Sequence, residues 1–446
     1  MIYACIGADG VCALAGLFFV RSNMYLRGSQ WSMKKKRKRS NPFLVLFLLL
    51  LVAGAVYVNQ VIVPGVPPLF IPTPTSTRDP ESFVTEAEAL FNVGKLSQAI
   101  TAYEQALVAK PDDPSIYIAL ARTQMFSGRY ADAQQNAENA ILLNQNNSMA
   151  HALRGWALYF QEDFLEAEAA LQRALELDPN NAMAHAYYAE LIADLYTRGQ
   201  ASLDAVDKMS AESNTALALA PNSLEAHRAR GYILFVTGNY DEAVREFKQA
   251  LSINENIADV HLLLGLVYRA MVLYPDAVDS FSRAYALNPS DPLPNLYISR
   301  ILATNGEFAK AIQYAEQVVR DAPANPLYRG NLGVMLYRNL QYPEAVKQLT
   351  LLVNGGKSED GQDITSVQLV PNEPRIAEYY FTYGLALVRQ NRCGEAIPIF
   401  QQLLTQVPED EIAVFNAQEG LRLCSENIGV TPSPEPTEES ESTPTP

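Results

Sequence analysis

Ala99, Ala133 and Ala167 lie 34 residues apart, and the same interval separates Ala243, Ala277, Ala311 and Ala345. The segments around these alanines resemble one another: LSQAITAYEQALVAKP, FLEAEAALQRALELDP, YDEAVREFKQALSINE and YPDAVDSFSRAYALNP. A fixed period held over several copies points to stacked supersecondary units, each contacting its neighbours, rather than to independent domains.

Each unit divides into two helices. Apolar residues follow helical spacing, as at Leu262, Leu263, Leu266 and Val267 around Gly265, and runs of β-branched residues are few. Gly94, Gly128, Gly238 and Gly306 fall near unit midpoints, where a turn needs a permissive backbone. Pro111, Pro179, Pro221, Pro289, Pro323 and Pro408 fall at unit ends, where a helix must stop. The repeating unit is therefore helix, turn, helix, stop, and the body is all-α.

The stretch VHLLLGLVYRAMVLYPDAVDSFSRAYALNP places Leu264, Gly265, Tyr268, Ala277, Phe281, Ala284 and Pro289 in one pattern. It resembles the tetratricopeptide repeat, W-x2-L-G-x2-Y followed by A-x3-F, A and P. On this register nine repeats begin at about residues 80, 114, 148, 182, 224, 258, 292, 326 and 377. The resemblance implies a right-handed superhelical solenoid. The fourth unit carries eight extra residues around LYTRGQASLDAVDKM, and the eighth is followed by the hydrophilic NGGKSEDGQDITSVQLVPNEP. Both insertions read as surface decoration, with partner contacts as the alternative. The last stretch, EIAVFNAQEGLRLCSE, reads as a cap helix.

His151, His185, His227 and His261, the four histidines of the chain, fall at the fourth position of their units, where the family pattern has Trp. That position is expected to pack against neighbouring helices. Helix axes roughly 8–10 Å apart space such side chains too widely for one zinc, whose ligand nitrogens sit about 2.0–2.1 Å from the metal. No metal is expected, and a pH-sensitive interface is the remaining alternative. No phosphate-binding glycine loop, G-x-S-x-G or nucleophile-base pattern accompanies them, so no enzyme activity and no cofactor are expected.

Charge divides the chain. Residues 1–63 hold eight Lys/Arg and one Asp, which leaves a net −22 on residues 64–446 when the whole chain carries −15. So acidic a body repels phosphate backbones and disfavours nucleic acid. Residues 1–42 read as a cytoplasmic N-terminus with a basic run at 34–39; residues 1–32 before Met33 fit as a mis-assigned start. Residues 43–63 lack charge and, at roughly 1.5 Å per residue, are long enough for a transmembrane helix or signal anchor. The alternative is a signal peptide cut at Ala53-Gly54-Ala55. The basic run would stay inside, placing the repeats on the extracytoplasmic side of the cell membrane. A Pro-rich linker, 64–80, leads to the solenoid with its cap, 81–429, and an acidic Pro/Ser/Thr tail, 430–446, reads as disordered. Cys393 and Cys424 are readable either as a disulfide or as two buried thiols.

Tetratricopeptide arrays bind peptides or proteins along the concave face of their first helices. The resemblance therefore implies a partner-binding groove lined by Ile118, Met125, Phe126, Trp156, Tyr159, Phe160, Tyr232 and Phe235, with Arg122, Arg228, Arg269, Arg300, Arg338 and Arg389 along it. Guanidinium and aromatic groups dominate interface energetics and would suit a peptide bearing acidic groups; the alternative is that the aromatics fill an inner core. The Lys and Asn pair with which the family clamps C-terminal carboxylates is absent from every unit. The function expected is a membrane-tethered protein-protein interaction scaffold. Alternatives are an accessory subunit of an envelope enzyme or secretion assembly, and a glycan-binding solenoid.

Overall fold

The structure, a computed structural model, describes residues 41–58, 60 and 79–429. The N-terminal stretch with its basic run, the linker from 64 to 78 and the tail 430–446 lie outside the described residues. The chain forms two units, Met1–Thr75 and Ser76–Pro446.

In the first unit, α1 (Pro42–Tyr57) is a 16-residue apolar helix whose side chains are all exposed. At 1.5 Å per residue it extends about 24 Å, short of the roughly 30 Å hydrocarbon core. No helix among the described residues is long and apolar enough to cross a membrane. The spanning helix expected over 43–63 is thus not met by the described residues; residues 59 and 61–63 lie outside them.

The second unit is an all-α helical repeat solenoid. Its helix pairs are α2–α3 (Pro80–Asn92, Leu96–Ala109), α4–α5 (Pro114–Phe126, Tyr130–Leu143), α6–α7 (Ser148–Phe160, Phe164–Leu177), α8–α9 (Ala182–Thr197, Ala205–Leu219) and α10–α11 (Leu224–Val236, Tyr240–Ile253). There follow α12–α13 (Ala258–Ala270, Tyr274–Leu287), α14–α15 (Leu293–Thr304, Phe308–Asp321), α16–α17 (Pro326–Arg338, Tyr342–Asn354), α18–α19 (Pro374–Arg389, Cys393–Gln406) and the cap α20 (Glu411–Gly429). Asp113, Asn147, Asn181, Ser223 and Asn325 cap first helices, each side chain accepting from a backbone N–H of the opening turn.

The repeat signature has a steric cause. A Cβ added at Gly155, Gly231, Gly265, Gly333 or Gly384 would lie 2.4–2.8 Å from Leu171, Phe247, Phe281, Leu349 or Phe400, respectively. A first-helix glycine thus makes room for one large side chain of the second helix. The periodic alanines, from Ala99 to Ala345, are fully buried for the same reason of close helix approach. The turn between paired helices requires positive φ, supplied by Gly128 at 77° and Gly238 at 81°. Where no glycine is present, Glu162, Val272, Leu340 and Asn391 adopt it at 58–64°.

The extra residues of the fourth repeat lengthen α8 to 16 residues against 13 in α6, extend the turn to 198–204, and add one residue to α9. The insertion after α17 is more anchored than its polarity suggests. It forms a two-stranded antiparallel hairpin, β1 (Gly356–Lys357) with β2 (Asp363–Ile364). It then buries Ile364 and Leu369, and Tyr380 donates its hydroxyl to the Val367 carbonyl at 2.7 Å.

The cap is bonded covalently: Cys393 and Cys424 form a disulfide, with Cα atoms 5.4 Å apart. Helix stacking brings the N-terminus of α19 beside the last turns of α20. The cap is not wholly polar, since Ile412 and Phe415 are exposed.

Candidate functional site

The solenoid coils back on itself. The Asn254 and Asn256 side-chain amides, in the loop before α12, donate to the Phe91 and Asn92 carbonyls at 3.5 and 3.2 Å. Gly94 permits this approach: a Cβ there would lie 2.7 Å from Asn256 Cβ. The first repeat thus touches the junction of the fifth and sixth, and the first helices between them face a narrow interior.

That interior is filled by the chain itself. Arg228, 4% exposed, donates to Glu190 and to Asp259. Arg122 Nε donates to Glu225 Oε1 at 2.5 Å, and its guanidinium lies 4.9 Å from the Phe91 ring centre. Trp156, 2% exposed, stacks on Tyr187 at 4.2 Å and meets Phe126 edge-on at 5.4 Å. Burial holds the Glu190 carboxyl above its ordinary value against the opposing charge of Arg228. For Glu225 burial acts upward, but the Arg122 charge and hydrogen bond, together with the bonds from its own backbone and Ser223, leave it lowered. Buried charges need partners of this kind, since an isolated one would cost several kcal/mol.

The expected groove residues therefore separate. Met125, Phe126, Trp156 and Arg228 are buried in the core and reach solvent only at the edge of one cleft. Arg122 is committed to Glu225. Ile118, Tyr159, Phe160, Tyr232 and Phe235 are half-buried and packed against the same core. Several of these aromatics thus pack into the inner core, and a glycan would find Trp156 already stacked.

The second half is open. A cleft of 590 Å³ is lined by Arg300 of α14, Met335 and Arg338 of α16, Arg375, Glu378 and Phe381 of α18, Asp410 just ahead of the cap and Ile412 in the cap's first turn. Arg338 and Arg375 share Glu378, at 2.9 Å for Arg338. Arg300 Nε donates to Asn331 Oδ1 at 3.2 Å, and Arg269 lies 4.7 Å from the Tyr297 ring centre. Neither Arg269 nor Arg300 forms an ion pair among the described residues. Burial, then the charges of Arg300 and Arg375, holds Arg269 below its ordinary value. Arg389 is exposed and does not line this cleft. Sequence reasoning missed Arg375 because the aligned repeat starts at 377, whereas α18 begins at Pro374 after the insertion. The proline at that helix start was the available signal.

The histidines do something other than fill the helix interface. Each turns Nε2 to the carbonyl six residues earlier: His151 to Gln145 (3.0 Å), His185 to Pro179 (2.9 Å), His227 to Pro221 (2.9 Å) and His261 to Glu255 (2.9 Å). Arg329 makes the same bond to Pro323 in the eighth repeat, at 2.8 Å. Each therefore pins the turn that joins its repeat to the one before. Among the described residues no three His, Cys, Asp or Glu converge to hold a metal.

His185 Nδ1 lies 2.5 Å from Glu212, and this hydrogen bond raises its pKa above the ordinary 6.5. The fold favours the protonated ring, so its contribution is fully present below pH 6.5 and is lost as pH rises through the raised value. His185→Gln is accordingly expected to lower the urea midpoint more at pH 6 than at pH 8. An equal loss at both would show that the Glu212 contact is not charged. His261 has the opposite sign: burial lowers its pKa, and its contribution is lost as pH falls through the lowered value.

Four family models match this chain. Those described as Tetratricopeptide repeat cover residues 90–157, 148–181 and 298–359, and one described as TPR repeat covers 231–271. No curated protein matches it in sequence. Among solved structures, yeast Tom70 is similar at 15% identity over 79% of this chain and 92% of that one, with a TM-score of 0.41. Pseudomonas aeruginosa pilF is similar at 22% identity over 47% of this chain and 91% of that one, with a TM-score of 0.39. At such TM-scores neither likeness carries a partner or an activity to this chain. Over the residues that the family models match, the chain is built of tetratricopeptide repeats.

Proposed function

We propose that the chain is a membrane-tethered scaffold that holds an acidic peptide segment of a partner protein in the cleft of its seventh to ninth repeats. One observation carries this reading: Arg300, Arg338 and Arg375 line a single cleft in a body whose net charge is strongly negative. Local charge of that sign attracts carboxylates, and the planar guanidinium pairs with them in two parallel hydrogen bonds. Met335, Phe381 and Ile412 supply the apolar floor for intervening side chains. Tetratricopeptide repeats themselves suggest a protein-protein interaction scaffold, and no residue is assigned a catalytic role.

The wholly apolar and exposed α1, which follows the basic run Lys34 to Arg39 in the sequence, supports the tether, with the repeats on the far side of the membrane from that run. The Cys393–Cys424 disulfide supports an oxidising, extracytoplasmic compartment.

The test is fluorescence anisotropy of a labelled peptide of alternating Glu and Leu with the full chain. Arg300→Gln with Arg338→Gln removes two charge-assisted contacts and should weaken binding at least about tenfold. Arg173→Gln, on an exposed surface of α7, should leave binding unchanged. Equal affinity in all three proteins would sink the reading.

A further inference from the structure

A second cleft, of 430 Å³, has the opposite character. It opens where the coiled solenoid brings the α4–α5 turn of the second repeat opposite the loop before α14. One wall is aromatic: Phe126, Tyr130 and Phe160, the last two stacked at 4.6 Å. The other wall carries the carboxylates of Asp259 and Asp291.

The charges do not balance. Arg228, the cation at this site, is already shared between Glu190 and Asp259. Asp291 accepts one hydrogen bond, from the Leu293 N–H at 2.9 Å, and forms no ion pair among the described residues. Burial, with the charge of Asp259 added, holds its carboxyl above the ordinary value. The two walls feel each other: the Tyr130 hydroxyl is pushed up to about 12 by burial first, with Asp259 and Asp291 both contributing. Arg228 shows what fits such surroundings, with its guanidinium 5.5 Å from the Trp156 ring centre and carboxylates at its edges.

We propose that this cleft recognises one arginine side chain of a partner peptide, its guanidinium set against the Phe126, Tyr130 and Phe160 wall and paired with Asp291 and Asp259. A planar cation gains from the ring electrons on one side and from charge-assisted hydrogen bonds on the other. Guanidinium is preferred to ammonium because it is flat and more weakly hydrated. An arginine seated here would also bridge the second and seventh repeats and so fasten the coil. The site stands apart from the cationic cleft, and either can fail without the other.

The chain has two tryptophans, so Trp31→Phe leaves Trp156, which lines the cleft, as the lone tryptophan, excited selectively over the tyrosines. The full-length Trp31→Phe chain is titrated with N-acetyl-Gly-Arg-Gly-amide and with the same peptide carrying uncharged citrulline. Saturable quenching is expected for arginine, with affinity at least about tenfold weaker for citrulline. Asp291→Asn keeps an oxygen that can accept from the Leu293 N–H and should weaken arginine binding by a similar factor, whereas Asp241→Asn, exposed on α11, should not. Equal titration by arginine and citrulline, or equal behaviour of the two Asn variants, overturns the proposal. Tighter binding of tetramethylammonium than of the arginine peptide overturns the guanidinium assignment in favour of a quaternary ammonium ligand.

Discussion

Replacing Arg228 with Met is expected to destabilise the repeat unit by about 3–5 kcal/mol, the cost of leaving a buried carboxylate without its cation. The loss should fall mainly on Glu190, 2% exposed, since the Asp259 side chain is 29% exposed and can be solvated. Adding Glu190→Leu should therefore recover part of the loss, although the single Arg228→Met change removes nothing but a cation. Urea unfolding of the wild type, the single and the double variant measures both quantities. A single variant within about 1 kcal/mol of wild type would mean that the interior of the first five repeats is wet and that their groove is open after all.

Phe400→Ala should cost a comparable amount, about 3–5 kcal/mol, by the usual sum of lost transfer energy and residual cavity. The ring is fully buried and lies against two glycines at once: a Cβ on Gly384 would lie 2.4 Å from it, and one on Gly420 2.1 Å. It is thus a main side chain on which α20 rests, at Gly420. With the ring gone, the Cys393–Cys424 bond becomes the main tie between cap and last repeat. Reduction should then lower the Tm of Phe400→Ala further than it lowers that of the wild type. A loss below about 1 kcal/mol, or equal sensitivity to reductant, would show that the cap is held by other contacts.

The nine repeats were legible because their cause is local. Small residues at fixed intervals let helices approach, and the Gly265 and Phe281 pair shows one such fit directly. The histidines were legible as register marks but not in their role, since a bond to a carbonyl six residues earlier depends on the turn's path and not on residue type. The groove was half legible. Repeat phase placed Arg122, Arg228 and Arg300 on first helices, yet it could not tell that the coil closes. Closure depends on Asn254 and Asn256 meeting Phe91 and Asn92, more than 160 positions away in the chain. It turns two of these arginines into internal partners and leaves the third open. Arg375 was invisible for a different reason, the phase shift introduced by the insertion after α17.

The central claim is one of location, and photo-crosslinking reads location directly. An acidic Glu/Leu peptide carrying benzoylphenylalanine at one Leu position is irradiated with the full chain, and the adducts are mapped by peptide sequencing. Adducts are predicted at Met335, Phe381 and Ile412, the apolar side chains among the arginines of the second half. Adducts concentrated instead at Tyr159, Phe160, Tyr232 or Phe235 would contradict the account and return the binding face to the first five repeats.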